Sequence, residues 1–493
     1  MKLRGGYSIP IAGRPSSRVG PLPVPGRLLI PKASRRFDFS DVLVTDGQRV
    51  SAGDVLATDP SNHSVPLLAP CGGTVRLEEL AGHLVLDGLE DTAGVFAQAA
   101  SGAGDAGGAS TGGSPSERGA GASADEMAAA LVRAGAWQLI ADAHTGRVPP
   151  PDARPSAVIV STMHLEPFVA RGHVHLHGRL AGFLRGLERI QGFLEYERIY
   201  LVVPDLNTPF ARAVRNSVRG GAWVQLVPVP LRYPFDNLGV LARHLRFRRD
   251  PDHPVWGLGT AGVFAVDGAL THGRPVLGRI VAVGGPAVDE PVHVRAVTGY
   301  PLEELLAGRT CGSDLRVLQG GALTGEAVGT GPTGLDCEAT GVTVLAEESR
   351  RTLLAFARPG WSRHSYGKTF LTSICPGPPE RLKTGLRGEL RPCIACGQCV
   401  DVCPAGILPN VIHKYLYADD IDEAQRTRVD LCVECGLCSY VCPSKIDLRE
   451  QFVEAKRAIR EEQEREEADR AEAAEAESRE LEREESDSVE AEA

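Results

Sequence analysis

The sequence predicts a multidomain protein in which α/β and β domains are followed by a small helical domain and a charged tail. Three observations support this fold class. Residues 1–97 alternate short apolar segments with turn residues, residues 125–249 alternate helical patterns with continuous apolar runs, and eight of the twelve cysteines cluster near the C-terminus. With 493 residues, of which 43% are hydrophobic, the chain is long enough for roughly two to four domains with their own cores.

Residues 1–97 are predicted to form short strands separated by turns. Two strand–turn units begin at Val44 and Leu67, and both have glycines where the chain must turn tightly. The pair resembles the two halves of a biotinyl/lipoyl-type barrel-sandwich domain, in which a hairpin lysine carries the cofactor. Asn62 stands near that position here, and no lysine occurs in Asp59–Pro66. We therefore predict a scaffold or docking domain without a swinging arm.

The middle of the chain is predicted to contain a linker and an α/β domain. Residues 98–124 are rich in Gly, Ala and Ser, which bury little apolar surface, so they predict a flexible linker. Residues 125–249 alternate helices and buried parallel strands, the pattern of βαβ units. The segments are the helices Asp125–Ala136 and Leu180–Phe193 and the strands Ala157–Ser161, Ile199–Asp205 and Val224–Leu231.

The C-terminal half divides into three parts. Residues 250–384 are β-rich and predict a small β-grasp-like domain with a connector, and residues 385–450 carry the clustered cysteines. In the tail, residues 450–493 contain 18 Asp and Glu against 7 Lys and Arg, a net charge of −11, so the rest of the chain is close to neutral. The first turns, with Phe452, Ala455 and Ile459, can pack on the cysteine domain. The remainder (the tail is counted as 451–493) predicts a solvated helix or disorder.

Composition also excludes several classes of protein. The chain has no basic stripe or basic tail, which argues against nucleic-acid binding. No run approaches the ~20 apolar residues of a membrane-spanning helix, so no membrane span of its own is expected. The N-terminus has no apolar segment typical of a secretory signal. These features predict a cytoplasmic protein, in which clustered cysteines indicate metal binding rather than disulfides.

Eight cysteines form two complete runs of the pattern C-x2-C-x2-C-x3-C-P, the spacing of bacterial two-cluster ferredoxins. The first run is Cys393, Cys396, Cys399, Cys403 and Pro404, and the second is Cys432, Cys435, Cys438, Cys442 and Pro443. Three thiolates at three-residue intervals can bind three irons of one cubane, and the cysteine before proline ligates the other cluster. Two [4Fe-4S] clusters are therefore predicted. Their ligands are Cys393, Cys396, Cys399 and Cys442 for one, and Cys432, Cys435, Cys438 and Cys403 for the other.

Structural zinc is the main alternative, because four thiolates can also hold one zinc ion. A third cysteine at the same spacing and a Cys-Pro pair in both runs favour iron–sulfur clusters. Gly397 and Gly436 support this, because a missing Cβ lets backbone N–H groups approach cluster sulfurs.

The segment between the two runs predicts the type of domain. Val411–Leu416 and Asp420–Arg428 have helical patterns, and Pro409 stands near the start of the first. We therefore expect a helical dicluster domain rather than a compact β-hairpin ferredoxin.

Other motifs give weaker signals. The sequence has no G-x-G-x-x-G after a strand and no Walker A motif, and its glycine pairs are interpreted as turns. His173, His175 and His177 alternate, which predicts one face of a strand, and a polar surface is favoured there over a metal site. The four scattered cysteines are interpreted as small buried hydrophobic residues. They are Cys71, Cys311, Cys337 and Cys375.

Three segments outside the cysteine runs carry a family resemblance: Gly5–Gly13, Gly278–Pro286 and Pro359–Leu371. They resemble NqrA, a component of the sodium-pumping NADH–quinone reductases. The eight cysteines instead resemble RnfC, a component of the related Rnf ion-translocating oxidoreductases, because typical NqrA proteins have lost nearly all of them. Leu408-Pro409 and Cys438–Lys445 fit either family. The resemblance covers nearly the whole chain apart from the linker and the tail.

The chain departs from RnfC in one respect. RnfC proteins carry a glycine-rich loop of the form G-x-G-G-A-G-F-P-T that serves flavin and NADH. The corresponding region around Ser161–Phe168 has no such loop, so this sequence does not support FMN or NADH as cofactors.

The resemblance implies a cytoplasmic protein held peripherally at the inner membrane by the membrane subunits of an Rnf/Nqr-type ion-translocating complex. We predict an electron-transfer subunit, not catalytic alone, that relays electrons through two [4Fe-4S] clusters between those membrane partners and a soluble donor or acceptor. The alternatives are an iron–sulfur subunit of a soluble oxidoreductase and a zinc-bound scaffold.

Overall fold

The computed structural model describes residues 3–92, 96, 123–194, 198–205, 207–218, 223–250, 252–329, 331–347, 375 and 390–492. Most of the expected linker at 98–124, the segment 359–371 and most of the expected connector lie outside the described residues. The chain divides into two units, Met1–Gly388 and Glu389–Ala493. The first contains four sheets with their helices and the second is helical, which confirms the predicted fold class. No described helix is long and apolar enough to cross a membrane.

The N-terminal segment is built from short strands. They are β1 (Val19–Gly20), β2 (Arg27–Pro31), β3 (Asp41–Val42), β4 (Arg49–Val50), β5 (Val55–Asp59), β6 (Val65–Leu68), β7 (Gly72–Arg76) and β8 (His83–Glu90). Seven of them form two antiparallel sheets, β2-β8-β7-β4 and β3-β5-β6. Leu28, Leu56 and Leu86 are buried in their core. Asn62, near the cofactor-lysine position of biotinyl/lipoyl domains, donates a 3.0 Å hydrogen bond to the Arg36 carbonyl oxygen.

The α/β region follows. Its elements are α1 (Ala124–Arg133), β9 (Ile140–Asp142), β10 (Ala157–Ser161), α2 (Gly172–Leu176), α3 (Leu180–Gln191), β11 (Ile199–Pro204), α4 (Pro209–Ser217), β12 (Val224–Val229), α5 (Leu238–His244), β13 (Val255–Gly259) and α6 (Thr260–His272). The strands form one sheet in the order β12-β11-β10-β13-β9, in which β9 alone is antiparallel. Every residue of β10 is buried, as expected for a central parallel strand.

The sheet extends beyond residue 249, where the sequence analysis places the end of this domain. Strand β13 pairs with β10 in parallel, from Ala157 opposite Val255 to Ser161 opposite Gly259. Gly257 and Gly259 weaken the apolar pattern of β13, because glycine is uncommon inside strands. The α/β domain therefore extends past residue 249, the boundary expected from the sequence, to include β13.

Helices α3 and α6 pack closely against each other. A Cβ at Gly186 would collide with the carbonyl oxygen of Val263, so only glycine permits this approach. Arg185 and Asp267 form an ion pair of 3.0 Å across the same contact.

The last sheet of the first unit is mixed. Its remaining elements are β14 (Gly278–Gly284), β15 (Val292–Val297), α7 (Leu302–Leu306), β16 (Leu315–Gln319), β17 (Glu326–Ala327) and β18 (Gly341–Ala346). The strand order is β1-β15-β14-β18-β16-β17. Strand β1 pairs with β15 in parallel, with Val19 opposite His293, so the N-terminal segment completes this distant sheet.

The second unit consists of helices. They are α8 (Gln398–Val402), α9 (Pro409–Tyr417), α10 (Ile421–Arg426), α11 (Leu437–Val441) and α12 (Leu448–Glu492). The two helices predicted between the cysteine runs are confirmed as α9 and α10. Pro409 occupies the first turn of α9, where its missing N–H costs nothing. Phe452 and Ala455 are buried, so the first turns of α12 pack on this unit as expected.

Candidate iron–sulfur sites

Each cysteine run begins as a loop with two left-handed residues. The φ angles are 53° at Ala395 and 78° at Gly397, and 54° at Glu434 and 73° at Gly436. This conformation costs a residue with a Cβ about 1–2 kcal/mol. No protein atom lies within 4 Å of the Cβ position at Gly397, so the backbone conformation favours glycine there without any steric contact. The two loops thus have the same local backbone conformation.

Each loop continues into a short helix that ends at a cysteine. Helix α8 ends before Cys403 and α11 before Cys442, and these residues are extended, with φ of −66° and −67°. The proline that follows each of them disfavours a helical conformation at the cysteine. Because α8 and α11 pack against each other, the fourth cysteine of each run is brought beside the loop of the other run.

The first three cysteines of the first run and the last cysteine of the second line one cavity. They are Cys393, Cys396, Cys399 and Cys442. Ile394, Ile446 and Leu448 add apolar side chains to the cavity wall. Cys399 is buried whereas Cys396 is exposed, so this group of thiols reaches the surface of the unit.

The other four cysteines also lie together. Burial raises the pKa of Cys438 well above its usual value, and the neighbouring Cys432, Cys435 and Cys403 raise it further. Burial also raises the pKa of Cys432 to about 11, and Cys403 is again among the groups that raise it. Without metal, Cys432 and Cys438 are neutral near neutral pH, and iron binding would displace their protons.

These residues fit iron–sulfur clusters. Within the described residues, no three His, Cys, Asp or Glu side chains converge closely enough to hold a single metal ion. A cubane does not require that convergence, because each of its irons takes one thiolate. Four thiols around a cavity with apolar neighbours provide the donor set and the shielding that such a cluster uses.

A hydrophobic core holds the two runs in position. Ile407, Ile412, Val429 and Phe452 are at most 5% exposed and pack in one cluster. This cluster includes Cys399, and five more of the eight cysteines pack against it. The helices between the runs and the start of α12 therefore determine where the cysteine loops stand.

Helix α12 also binds the second loop through charged side chains. Lys456 forms an ion pair with Glu434 and donates a 2.9 Å hydrogen bond to the Cys432 carbonyl oxygen. Arg449 donates a 3.2 Å hydrogen bond to the Glu434 carbonyl oxygen. Sequence reasoning missed these contacts. The available signal was that Lys456 lies four residues after the buried Phe452, on the packed side of the helix.

The four scattered cysteines do not share one environment. Cys71 is fully buried and Cys337 is partly buried, and burial raises their pKa values to about 11 and about 12. Cys311 and Cys375 are exposed, so the prediction that all four are buried is wrong for these two. Cys311 stands between Thr310 and Gly312, and Cys375 is followed by Pro-Gly-Pro, so neither belongs to an apolar run of strand or helix length.

The alternating histidines form a turn of helix. His173 and His175 lie on α2 and His177 caps its C-terminus, so the predicted strand face is wrong. The predicted polar surface is also wrong for His175, which is 4% exposed. A helix of five residues is too short to produce a recognisable period of 3.6.

The segment after β10, which lacks the glycine-rich loop of RnfC, contacts residues between β16 and β17. The Glu166 carboxylate accepts hydrogen bonds from the backbone N–H groups of Leu323 and Thr324, at 3.0 and 2.8 Å. This segment therefore joins the α/β sheet to the mixed sheet that follows it.

Three family models match the chain. A 4Fe-4S dicluster domain matches residues 386–468, the NqrA second alpha/beta domain matches residues 122–274, and the NQRA C-terminal domain matches residues 280–329. The first covers all eight clustered cysteines. The second extends past β13, in agreement with the observed sheet.

Curated relatives match over most of the chain. The NqrA protein of the Na(+)-translocating NADH-quinone reductase of Pseudomonas aeruginosa strain PAO1 is 27% identical over 439 residues, which is 86% of this chain and 91% of that protein. The NqrA protein of Teredinibacter turnerae is 27% identical over 438 residues, with the same coverage. A crystal structure of an NAD+-reducing [NiFe]-hydrogenase has a TM-score of 0.35 and 18% identity over 45% of this chain and 47% of that chain.

Proposed function

Since this chain combines NqrA domains with a 4Fe-4S dicluster domain, we propose that it relays electrons through two [4Fe-4S] clusters as part of an Nqr- or Rnf-type membrane complex. Homology to NqrA and the dicluster domain support an electron-transfer role. The number of clusters and their ligands are our proposal. Cys393, Cys396, Cys399 and Cys442 hold one cluster, and Cys432, Cys435, Cys438 and Cys403 hold the other.

The observation that carries the proposal is the exchange of the fourth cysteine between runs. Cys442 lines the cavity of the first loop, and Cys403 lies among the thiols of the second. Because each run then supplies ligands to both clusters, the clusters are held near each other within one small unit. Such an arrangement suits electron transfer between them rather than two independent structural sites.

The two sites differ in how far their cysteines are exposed to solvent. When bound, iron–sulfur clusters accept and donate single electrons. The cysteines of the second site are all partly buried, and Lys456 holds their loop from α12. The first site includes the exposed Cys396, with Ile394 beside it at 66% exposure. We assign the first site to exchange with a partner protein and the second to the interior of the relay.

The proposal places the chain on the cytoplasmic face of the inner membrane, bound through membrane subunits, with a soluble donor or acceptor as the second partner. The test is anaerobic purification of the tagged full-length chain from detergent-solubilised membranes. We expect multi-spanning membrane subunits to co-purify, with about eight irons per chain and a reducible EPR signal. Recovery with soluble proteins alone would favour a soluble oxidoreductase instead. Zinc in place of iron would contradict the electron-transfer role.

A further inference from the structure

A group of basic side chains lies between α2 and β15 in the first unit, away from the cysteines. His293 and Arg295 are two residues apart on β15, so they lie on the same face of the strand. His175 lies on α2, and Arg171 directly precedes that helix. Ser17 Oγ lies 3.0 Å from Nε2 of His173 on α2, and the carbonyl oxygen of the adjacent Ser16 lies 2.6 Å from Nδ1 of His293 on β15, so the two elements lie close together.

Several nitrogens in this group have no partner although they are buried. His293 is 1% exposed, and its Nδ1 lies 2.6 Å from the Ser16 carbonyl oxygen, while its Nε2 has no hydrogen-bond partner among the described residues. The same holds for Nε2 of His175 and for Nε of Arg295. An unsatisfied buried polar group costs about 1–3 kcal/mol. The Nε–H of Arg295 therefore lacks an acceptor, while Nε2 of His293, whose Nδ1 carries the proton, can donate only when the ring is protonated.

The charges of this group are also uncompensated. Burial lowers the pKa of His175 to about 3, and His164, Arg179, His293 and Arg295, all of them basic, lower it further. Burial lowers the pKa of Arg171, and Arg14 adds to the effect. Within the described residues, neither Arg171 nor Arg295 has a carboxylate partner. Like charges in a partly buried place repel each other more strongly than in water.

The group lies next to the crevice where α/β sheets bind ligands. His164 follows β10, and its ring centroid is 6.3 Å from that of His175. A Cβ at Gly259, the last residue of β13, would lie 3.0 Å from His164 Nε2. Strands β11 and β13 both run parallel to β10 on its two sides, so the strand order reverses at this point. Ligands of open α/β sheets bind at the carboxyl ends of the strands at such a reversal.

We propose that this basic group (His175, His293, Arg171 and Arg295) binds a phosphate-type oxoanion, either free phosphate or the phosphate group of a nucleotide. Guanidinium forks match the oxygens of phosphate, and the anion supplies the acceptor that Nε of Arg295 lacks. Because a carbonyl oxygen only accepts, Nδ1 of His293 carries a proton, so Nε2 becomes a donor when the anion induces protonation. The inference does not depend on the proposed electron-transfer function.

The test uses the full-length protein and the substitution Arg295→Met. Thermal unfolding is followed by tryptophan fluorescence, since all four tryptophans lie in the first unit. Inorganic phosphate should raise the midpoint of the wild type relative to chloride at equal ionic strength. Arg295→Met should lose that shift, with a phosphate affinity lower by about tenfold or more. Without phosphate, the unfolding midpoint of Arg295→Met should be equal to or higher than that of the wild type, because the substitution removes a repelling charge from the basic group.

Two further variants complete the design. Arg171→Met, on the opposite element, should show the same loss. Arg316→Met should keep the phosphate shift, because Arg316 is in the same sheet but is paired with Glu347 at 2.8 Å. Calorimetry with inorganic phosphate and with ADP distinguishes the two sources of the anion. ADP binding that depends on Arg295 identifies a nucleotide phosphate, and binding of phosphate without ADP identifies the free oxoanion. No saturable binding of either probe, or an unchanged shift in Arg295→Met, overturns the proposal.

Discussion

The Lys456 ammonium donates a 2.9 Å hydrogen bond to the carbonyl oxygen of Cys432, the first cysteine of the second run. Lys456 is thus a cation held against a cysteine loop by a helix whose later residues are strongly acidic. Its side chain is 18% exposed, so its charge is only partly screened by water. With Arg449, it connects the start of α12 to the loop of the second site.

Replacing Lys456 with methionine should therefore lower the reduction potential of one cluster. A reduced cluster is more negative than an oxidised one, so removing a nearby positive charge disfavours reduction. The shift should be on the order of tens of millivolts. An EPR-monitored redox titration measures it. The matched control is Arg457→Met, because Arg457 is 65% exposed on the same helix and should leave both potentials unchanged.

Substitutions of Gly397 test whether its left-handed backbone conformation requires glycine. Gly397→Ala should lower the stability of the second unit by about 1 kcal/mol, because the backbone conformation is unfavourable for alanine and no contact is changed. Gly397→Asn should cost less, since asparagine tolerates this conformation. Iron retention during dialysis against a chelator compares the two. Equal retention in Gly397→Ala and the wild type would show that the φ angle does not matter.

Two glycines on the packed helices should respond in opposite directions. Gly268, inside α6, has no atom within 4 Å of its Cβ position, so Gly268→Ala should stabilise the protein by about 0.5–1 kcal/mol. Gly186→Ala should destabilise it, because the new Cβ collides with the Val263 carbonyl oxygen. Urea unfolding followed by tryptophan fluorescence measures both. A lower stability of Gly268→Ala than of the wild type would contradict the open space observed at this position.

Stability of the first unit should fall as the pH is lowered. Burial lowers the pKa of His164 to about 4 and that of His175 to about 3, from 6.5. The unfolded chain therefore binds more protons below pH 6.5, so the stabilisation is complete above that pH and is lost toward pH 3. At pH 5 each histidine costs about 2 kcal/mol.

Urea unfolding in chloride buffer at several pH values tests this dependence. His175→Gln should remove its share of this dependence, about 2 kcal/mol at pH 5. His253→Gln, at an exposed position, should behave like the wild type. A pH dependence that is the same in all three proteins would exclude the buried neutral His175 as one of its causes.

Features encoded by local spacing could be predicted from the sequence. The cysteine runs, the helix beginning at Pro409 and the strand Ala157–Ser161 each follow from residues next to one another. Features that depend on distant contacts could not. The burial of His175 depends on β15, more than a hundred residues later, and the contact of Lys456 depends on how α12 lies against the second loop. Strand β13 was missed because two of its five residues are glycine.

The exchange of the fourth cysteine between runs can be tested with two double variants that remove the same number of ligands. In Cys393→Ala/Cys442→Ala both changes fall on one cluster, whereas in Cys393→Ala/Cys403→Ala each cluster loses one ligand. We measure iron, acid-labile sulfide and the EPR signal of the anaerobically purified, reduced full-length chain. The first variant should keep about four irons and one signal, and the second should lose most of both. Retention of one intact cluster in Cys393→Ala/Cys403→Ala, with loss of both in the other variant, would contradict the proposed relay geometry.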